Sequence, residues 1–122
     1  MWSLTDNDCC QHIRQNGSEY EMIQAVWLDT TGEDRAKGLH EYVIVNLTID
    51  LDDYDEDAKE MYISSYGYTL ASLSAEYGDA MDSIIAECIL EEESLRDSCI
   101  IDVANSFEEA KAKIQKFITT QN

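Results

Sequence analysis

The chain contains no proline, so it lacks the residue that most often breaks a helix or marks a linker between domains. No apolar run approaches the roughly 18–20 residues of a membrane span. Residues 1–8 show neither the basic nor the apolar region of a signal peptide. We therefore expect an intracellular chain that forms one domain over residues 1–122, with its four cysteines as reduced thiols.

Basic residues are scarce: the chain has 8 Lys and Arg against 26 Asp and Glu, a net charge of −18. The excess is concentrated between Glu41 and Asp97, where 16 acidic residues meet only Lys59 and Arg96. Such a charge repels nucleic acid and anionic membrane surfaces. We expect no direct binding to either. The expected partner is a basic protein surface, including one that normally holds nucleic acid.

Residues 41–57 are the stretch around which the chain is organised. Four apolar residues from Val43 to Ile49 alternate with Tyr42, Ile44, Asn46 and Thr48, which is the pattern of a half-buried strand. Tyr20–Asp29 predicts a second strand, and the polar residues 30–38 predict a long loop that closes an antiparallel hairpin. Cys99–Val103 is a short apolar run that predicts a third, central strand.

Helical spacing and capping residues account for most of the remaining chain. Helices are expected to begin near Thr5, at Asp52 or Asp53, at Thr69, at Asp79 and at Ser106. The first would run over Thr5–Gln15, and the one from Asp79 would be the longest. The second would share one face among Ala58, Met61, Tyr62 and Ser65. The prediction is one α+β domain with a small antiparallel or mixed sheet of about three strands and four to five helices.

Metal sites are not indicated by the spacing of the ligand-type residues. Asp53, Asp55 and Asp57 match the first positions of a calcium loop, but Ala58 and Ser64 stand where that loop needs Gly and Glu. A loose divalent site at the acidic run stays open as an alternative. Cys9, Cys10 and His12 are adjacent rather than spaced as zinc ligands.

Catalytic signatures are also lacking, because His12 and His40 are the only histidines and neither belongs to a recognisable nucleophile–base set. The five scattered glycines form neither a G-x-G-x-x-G fingerprint nor a phosphate loop. Carboxylates are so numerous that no single pair indicates the chemistry of glycoside hydrolysis. We expect a protein that is not an enzyme, with no catalytic residue, no metal ligand and no cofactor.

The acidic surface is the remaining functional signal, and simple solubility is its alternative explanation. Two separate acidic clusters, 50–60 and 91–93, could fold onto one negative face with tyrosines among the acids. Rigid carboxylates could imitate the field of DNA phosphates. The predicted partner-binding residues are Asp52, Asp53, Tyr54, Asp55, Glu56, Asp57, Glu60, Tyr62, Glu91 and Glu93.

The chain resembles the small acidic proteins of phages and mobile elements, among which anti-CRISPR and anti-restriction DNA mimics occur. The resemblance lies in size, acidity, the turn Ser65-Tyr66-Gly67-Tyr68-Thr69, and the closing strand followed by Ser106-Phe107-Glu108-Glu109-Ala110. It implies an inhibitor of a host defence nuclease, acting in the host cytoplasm. The alternatives are an immunity protein for a basic toxin and an acidic secretion chaperone. The oligomeric state stays open.

Overall fold

The computed structural model describes residues 2–8, 10–28, 41–94 and 97–121. Its five strands are β1 (Ser3–Asp6), β2 (Gln11–Asn16), β3 (Glu19–Trp27), β4 (Tyr42–Asp50) and β5 (Ile100–Ala104), each antiparallel to the next in the order β1-β2-β3-β4-β5. Its α-helices are α1 (Glu56–Ser64), α2 (Leu70–Tyr77), α3 (Met81–Glu93) and α4 (Phe107–Gln121). The predicted α+β class is confirmed, whereas the prediction of about three strands is wrong.

Strands β3 and β4 form the middle of the molecule and are buried on both faces. Met22 and Val45 point to one face and Ile23 and Ile44 to the other, and each is at most 1% exposed. Helix α3 covers the first face, with α1 and α2 packed on it, and α4 covers the second. The predicted antiparallel hairpin of these two strands is confirmed. Its predicted loop, 30–38, lies outside the described residues.

Strands β1 and β2 correct the prediction of a helix over Thr5–Gln15, because they form a hairpin and β2 pairs with β3. Ile13 is buried in the first core, while Arg14 points to the other face and forms an ion pair of 2.6 Å with Glu21. The two-residue turn after β2 starts at Gly17, whose φ of 64° suits glycine. Pairing with neighbouring strands, which a helix cannot make, therefore determines that this segment is extended.

Strand β5 lies at the edge of the sheet, so the prediction of a central strand at Cys99–Val103 is wrong. Within the described residues it pairs with β4 alone, in the register Val43↔Val103. Ile100 and Ile101 are 39% and 49% exposed as a result. A short apolar run by itself does not distinguish a central strand from an apolar edge.

The start of α1 also differs from the prediction. Asp50 caps a 3-10 turn over Leu51–Asp53, and Asp55, not Asp52 or Asp53, caps α1 by accepting a hydrogen bond of 2.8 Å from the Ala58 N–H. The inner face of α1 carries Ile63, which is fully buried. Met61, predicted on the packed face, is 65% exposed.

Helices α2 and α3 follow their predicted signals closely. Thr69 and Ser72 form a capping box at the start of α2, and Gly78 ends it with a φ of 53°. Tyr77, expected to point inward, is exposed. Helix α3 packs on β4 with one side and on α1 and α2 with the other. Leu90 is therefore fully buried.

Helix α4 packs across β3, β4 and β5 through the predicted apolar face, in which Ala110, Ile114 and Ile118 are buried. It has 15 residues against 13 in α3, so the helix after Asp79 is not the longest. The Ser106 hydroxyl accepts the Glu109 N–H at 3.1 Å, as predicted. The Glu109 carboxylate accepts from the Asn105 N–H instead of that of Ser106.

None of the helices in the described part of the chain combines the length and apolar character needed to cross a bilayer.

Truncating Leu90 tests the two-sided burial of α3. We expect Leu90→Ala to lower the free energy of unfolding by about 3 kcal/mol, because a leucine removed from a closed core leaves a cavity. The measurement is urea unfolding followed by circular dichroism. Leu4→Ala is the matched control, since Leu4 is 52% exposed and should change stability by less than about 0.5 kcal/mol. Equal effects of the two substitutions would contradict the packing.

Candidate partner-binding surface

The predicted acidic residues lie on the outer layer of the molecule. We call eight of them the acidic patch: Asp52, Asp53, Asp55, Glu56, Asp57, Glu60, Glu91 and Glu93. All are solvent-exposed except Glu93, which is half-buried. Helix α1 packs on α3 rather than directly on the sheet, so its outer side faces solvent. Lys59 is the single basic residue among the described residues 41–94.

Tyrosines connect the two ends of the acidic patch. The Tyr62 hydroxyl donates a short hydrogen bond to Glu93, and the Tyr66 hydroxyl donates one of 2.9 Å to Glu91. These two contacts run in opposite directions along α1 and α3, so the helices are antiparallel. The acidic start of α1 therefore lies toward the end of α3 that carries Glu93.

Tyr54 extends this connection to the turn before α1. Its ring meets the ring of Tyr62 edge-on at a centroid distance of 5.8 Å. Both rings are half-buried against the first core, so they anchor the patch and leave only part of their area for a partner. Asp53 and Asp55 flank Tyr54 in the chain. One tyrosine pair thus lies between the carboxylates that precede α1 and the carboxylate of Glu93.

The turn after α1 fixes the position of Tyr66. The Gly67 N–H donates to Ser64 O at 3.0 Å and the Tyr68 N–H donates to Ile63 O at 3.2 Å. This is the hydrogen-bond pattern of a Schellman motif, with Gly67 in the left-handed conformation at φ 82°. The chain reverses after Tyr66, whose ring is left beside the last turn of α3.

Glu91 dominates the electrostatics at this end of α3. Burial, and then the hydrogen bond to the Glu91 carboxylate, raise the pKa of Tyr66 above its ordinary value. Burial, followed by the charges of Glu91 and its neighbours, raises the pKa of the Cys88 thiol to about 11. Burial and Glu91 also raise the pKa of Glu87. Cys88 therefore stays a neutral packing residue at physiological pH, as its sequence position suggested.

Sequence reasoning omitted three residues from the predicted site. Met61 is the most exposed of the large apolar residues that the structure describes, and it lies beside Asp57 and Glu60 on the outer side of α1. Tyr66 is 40% exposed, and Glu92 is exposed between two patch residues. Met61 was missed because it was expected on the packed face of α1, which instead carries Ile63. Tyr66 was noticed among the acids but not included with the site.

The described residues contain no group of three or more His, Cys, Asp or Glu side chains arranged to hold a metal ion. His12 is half-buried in β2, where burial lowers its pKa. Cys9 and His40 lie outside the described residues. The arrangement on α1 and α3 offers fixed negative charge and tyrosine edges, which suit binding to a basic surface.

The Tyr66–Glu91 contact predicts how the pKa of Tyr66 changes when Glu91 loses its charge. Glu91→Gln should lower the Tyr66 pKa, which stays above the ordinary value of about 10 because burial remains. The stability that Tyr66 contributes is complete below about pH 10 and declines as pH rises above it. The readout is the ring signal of Tyr66 in protein with labelled tyrosines, assigned with Tyr66→Phe. Asp52→Asn is the control, and an equal shift in both variants would contradict the contact.

Comparison of the chain with models of protein families, with curated proteins and with solved structures gave no match.

Proposed function

We propose that this chain is a non-enzymatic binding protein that inhibits a host defence nuclease by occupying its basic nucleic-acid-binding surface. The nuclease would be a CRISPR effector or a restriction enzyme, and the acidic patch would act as a DNA mimic in the host cytoplasm. The observation that carries the proposal is the exposed run of carboxylates over 52–60, tied through tyrosines to the end of α3.

The charge density of this run supports the comparison with DNA. Six carboxylates occur within the nine residues 52–60. The rise per residue lies between about 1.5 Å in a helix and about 3.3 Å in extended chain, which gives one charge per roughly 2–5 Å. Duplex DNA carries one charge per ~1.7 Å of axis. The two fields are of the same order, and the spacings are shorter than the Debye length of about 8 Å.

The position of the glutamates at the end of α3 also favours a binding role. Glu91, Glu92 and Glu93 occupy the last turn of α3, and that turn carries no basic residue. The helix macrodipole is negative there, so carboxylates are unfavourable by about 0.3–1 kcal/mol each. A chain selected only for stability or solubility has better positions for these charges. Binding residues commonly reduce the stability of the free protein in this way.

A variant with five neutralised acids tests whether the acidic patch blocks the nucleic-acid-binding surface of the nuclease. We expect that changing five acids of the acidic patch to their amides weakens binding to the nuclease at least about fivefold, since exposed charges contribute about 0.2–1 kcal/mol each. The five changes are Asp52→Asn, Asp53→Asn, Glu56→Gln, Asp57→Asn and Glu60→Gln. Asp55 is kept because it caps α1. The measurement is titration of the nuclease with and without duplex DNA at several salt concentrations.

The matched control removes the same amount of charge elsewhere. Five exposed acids outside the acidic patch serve: Asp8, Glu76, Asp79, Asp82 and Glu108. Their amides should weaken binding less than about threefold, through long-range attraction alone. If the nuclease still takes up DNA at saturating inhibitor, occlusion is wrong. Equal losses in the two variants would show that net charge, rather than the patch, governs binding.

Glu92→Gln separates the effects of this side chain on stability and on binding. Removing its charge from the end of α3 should raise the free energy of unfolding by about 0.3–1 kcal/mol. The same change should weaken nuclease binding, because Glu92 lies between Glu91 and Glu93. Urea unfolding and the DNA competition titration measure the two quantities on one protein sample. A variant that is less stable than the original chain would contradict the dipole argument.

A further inference from the structure

A cavity opens on the first face of the sheet, between α3 and the end of the sheet formed by β1 and β2. Its volume is about 280 Å³, just below the range of pockets that enclose drug-sized ligands, so it suits a group of side-chain size. Helix α3 contributes Ser83 and Glu87, one turn apart on the same side of the helix. Strands β1, β2 and β3 contribute the other walls: Ser3, Thr5, Ile13, Arg14, Gln15 and Tyr20.

Glu87 supplies the negative charge of this cavity and has no counter-ion. It is half-buried, and within the described part of the chain its carboxylate has neither a hydrogen bond nor an ion pair. Arg14 also lines the cavity, but its guanidinium lies on the other face of the sheet, where it pairs with Glu21 and covers the Trp2 ring. The nearest charge that acts on Glu87 is that of Glu91, which is also negative. A cation in the cavity would relieve both effects.

The polar side chains of the strands add hydrogen-bond acceptors to this carboxylate. The Thr5 hydroxyl donates its proton to the Gln11 side chain at 2.5 Å, and the Gln15 amide donates to a backbone carbonyl at 2.9 Å. The oxygen atoms of Thr5 and Gln15 therefore keep lone pairs that a ligand can use. A primary ammonium group matches such surroundings, because it carries positive charge and three donors and has no acceptor.

Ile13 and Tyr20 give the cavity an apolar wall that belongs to the first core. The Tyr20 side chain is hydrogen-bonded to Ser83, so its ring is held between the sheet and α3. An alkyl chain packs well on an apolar wall of this kind while its charged end stays beside polar atoms. Charge, acceptors and apolar surface thus occur together within one cavity.

We propose that this cavity binds a primary ammonium group carried on an alkyl chain, with Glu87 as its counter-ion. The ammonium donates to the Glu87 carboxylate and to the oxygen atoms of the strand side chains, and the alkyl chain lies against Ile13 and Tyr20. The cavity lies outside the acidic patch and its binding is measured without a nuclease, so the proposal does not depend on the proposed inhibition.

Two sources of this group are a lysine side chain of another protein and a free aliphatic diamine. Glu91 lies one turn beyond Glu87 on α3, at a rise of about 6 Å along the helix. A diamine with four carbons has the length to place its second ammonium near Glu91, whereas a lysine side chain has a single ammonium. The Glu91 carboxylate therefore distinguishes the two sources.

The test titrates n-butylammonium chloride into the labelled full chain, with amide NMR shifts as the readout. The buffer contains physiological salt, which screens distant charges beyond about 8 Å. Shifts should be confined to β1, β2 and the turn of α3 from Ser83 to Glu87. The carboxyl signal of Glu87 should show that its pKa falls on binding, because a nearby cation favours the charged form. n-Butanol, which has the same chain and no charge, should bind about fivefold more weakly.

Substitutions in the protein complete the test. Glu87→Gln, which keeps the shape of the side chain, should weaken binding of n-butylammonium about fivefold. Glu108→Gln, at an exposed acid on α4, should leave the affinity unchanged. Equal effects of these two variants would overturn the proposal. So would shifts spread over the acidic patch, because they would show general attraction to negative charge, and so would the absence of shifts at 50 millimolar ligand, roughly.

A second pair of ligands identifies the source of the ammonium group. Doubly capped lysine and 1,4-diaminobutane should both bind at Glu87. Tighter binding of the diamine, with the advantage lost in Glu91→Gln, would identify a free diamine as the ligand. Equal affinities, unchanged in Glu91→Gln, would identify a lysine side chain. Failure of both ligands to shift the signals around Glu87 would overturn the proposal.

Discussion

The burial of β3 and β4 on both faces is the constraint on which the rest of the structure depends. Met22 and Val45 require one cover and Ile23 and Ile44 require another. A chain of 122 residues meets both requirements by placing three helices on one face and the last helix on the other. The strong central pair leaves β1 and β5 as edges. It also moves α1 to a third layer, where its outer side is not needed for packing.

That third layer is where the negative charge can be tolerated. Carboxylates on the outer side of α1 remain hydrated, so they incur no desolvation cost and repel one another only through solvent. The first turn of α1 favours them through its dipole, whereas the last turn of α3 does not. Tyr54, Tyr62 and Tyr66 connect these opposite cases by placing hydroxyls and ring edges between the carboxylates. The acidic patch therefore combines carboxylates that the helix dipole stabilises, at the start of α1, with carboxylates that it destabilises, at the end of α3.

The elements that the sequence predicted correctly are those with local signals. Thr69 and Gly78 mark the two ends of α2, Ser106 starts α4, and the alternation from Val43 to Ile49 forms β4. These preferences act within a few residues, so they can be read from the sequence. Strands β1 and β2 were missed because their stability comes from cross-strand partners, such as Glu21 of β3 for Arg14 of β2. The sequence does not show which partner a strand will find. The burial of Leu90 likewise depends on α1 and α2 packing over α3.

The same distinction applies to the candidate surface. The composition indicated a negative region, and the exposure of Asp52 and Asp53 follows from their charge. The position of Glu93 beside Tyr62 depends on the antiparallel packing of α1 and α3, which no local pattern encodes. Met61 was placed on the wrong side of α1 because the packed face carries Ile63, two residues further along. Residues two apart lie on different sides of a helix, so site predictions are more sensitive to the choice of buried face than fold class is.

The order of the sheet has a consequence for how the molecule assembles. The first three strand pairs join strands separated by at most 14 residues of chain, whereas β5 reaches β4 only after the 49 residues 51–99. Closing so long a loop costs more entropy than closing a tight turn, and only one ladder with α4 repays it. The carboxyl-terminal strand and helix should therefore dock last. They should also be the first part to open transiently under native conditions, as a separate cooperative unit.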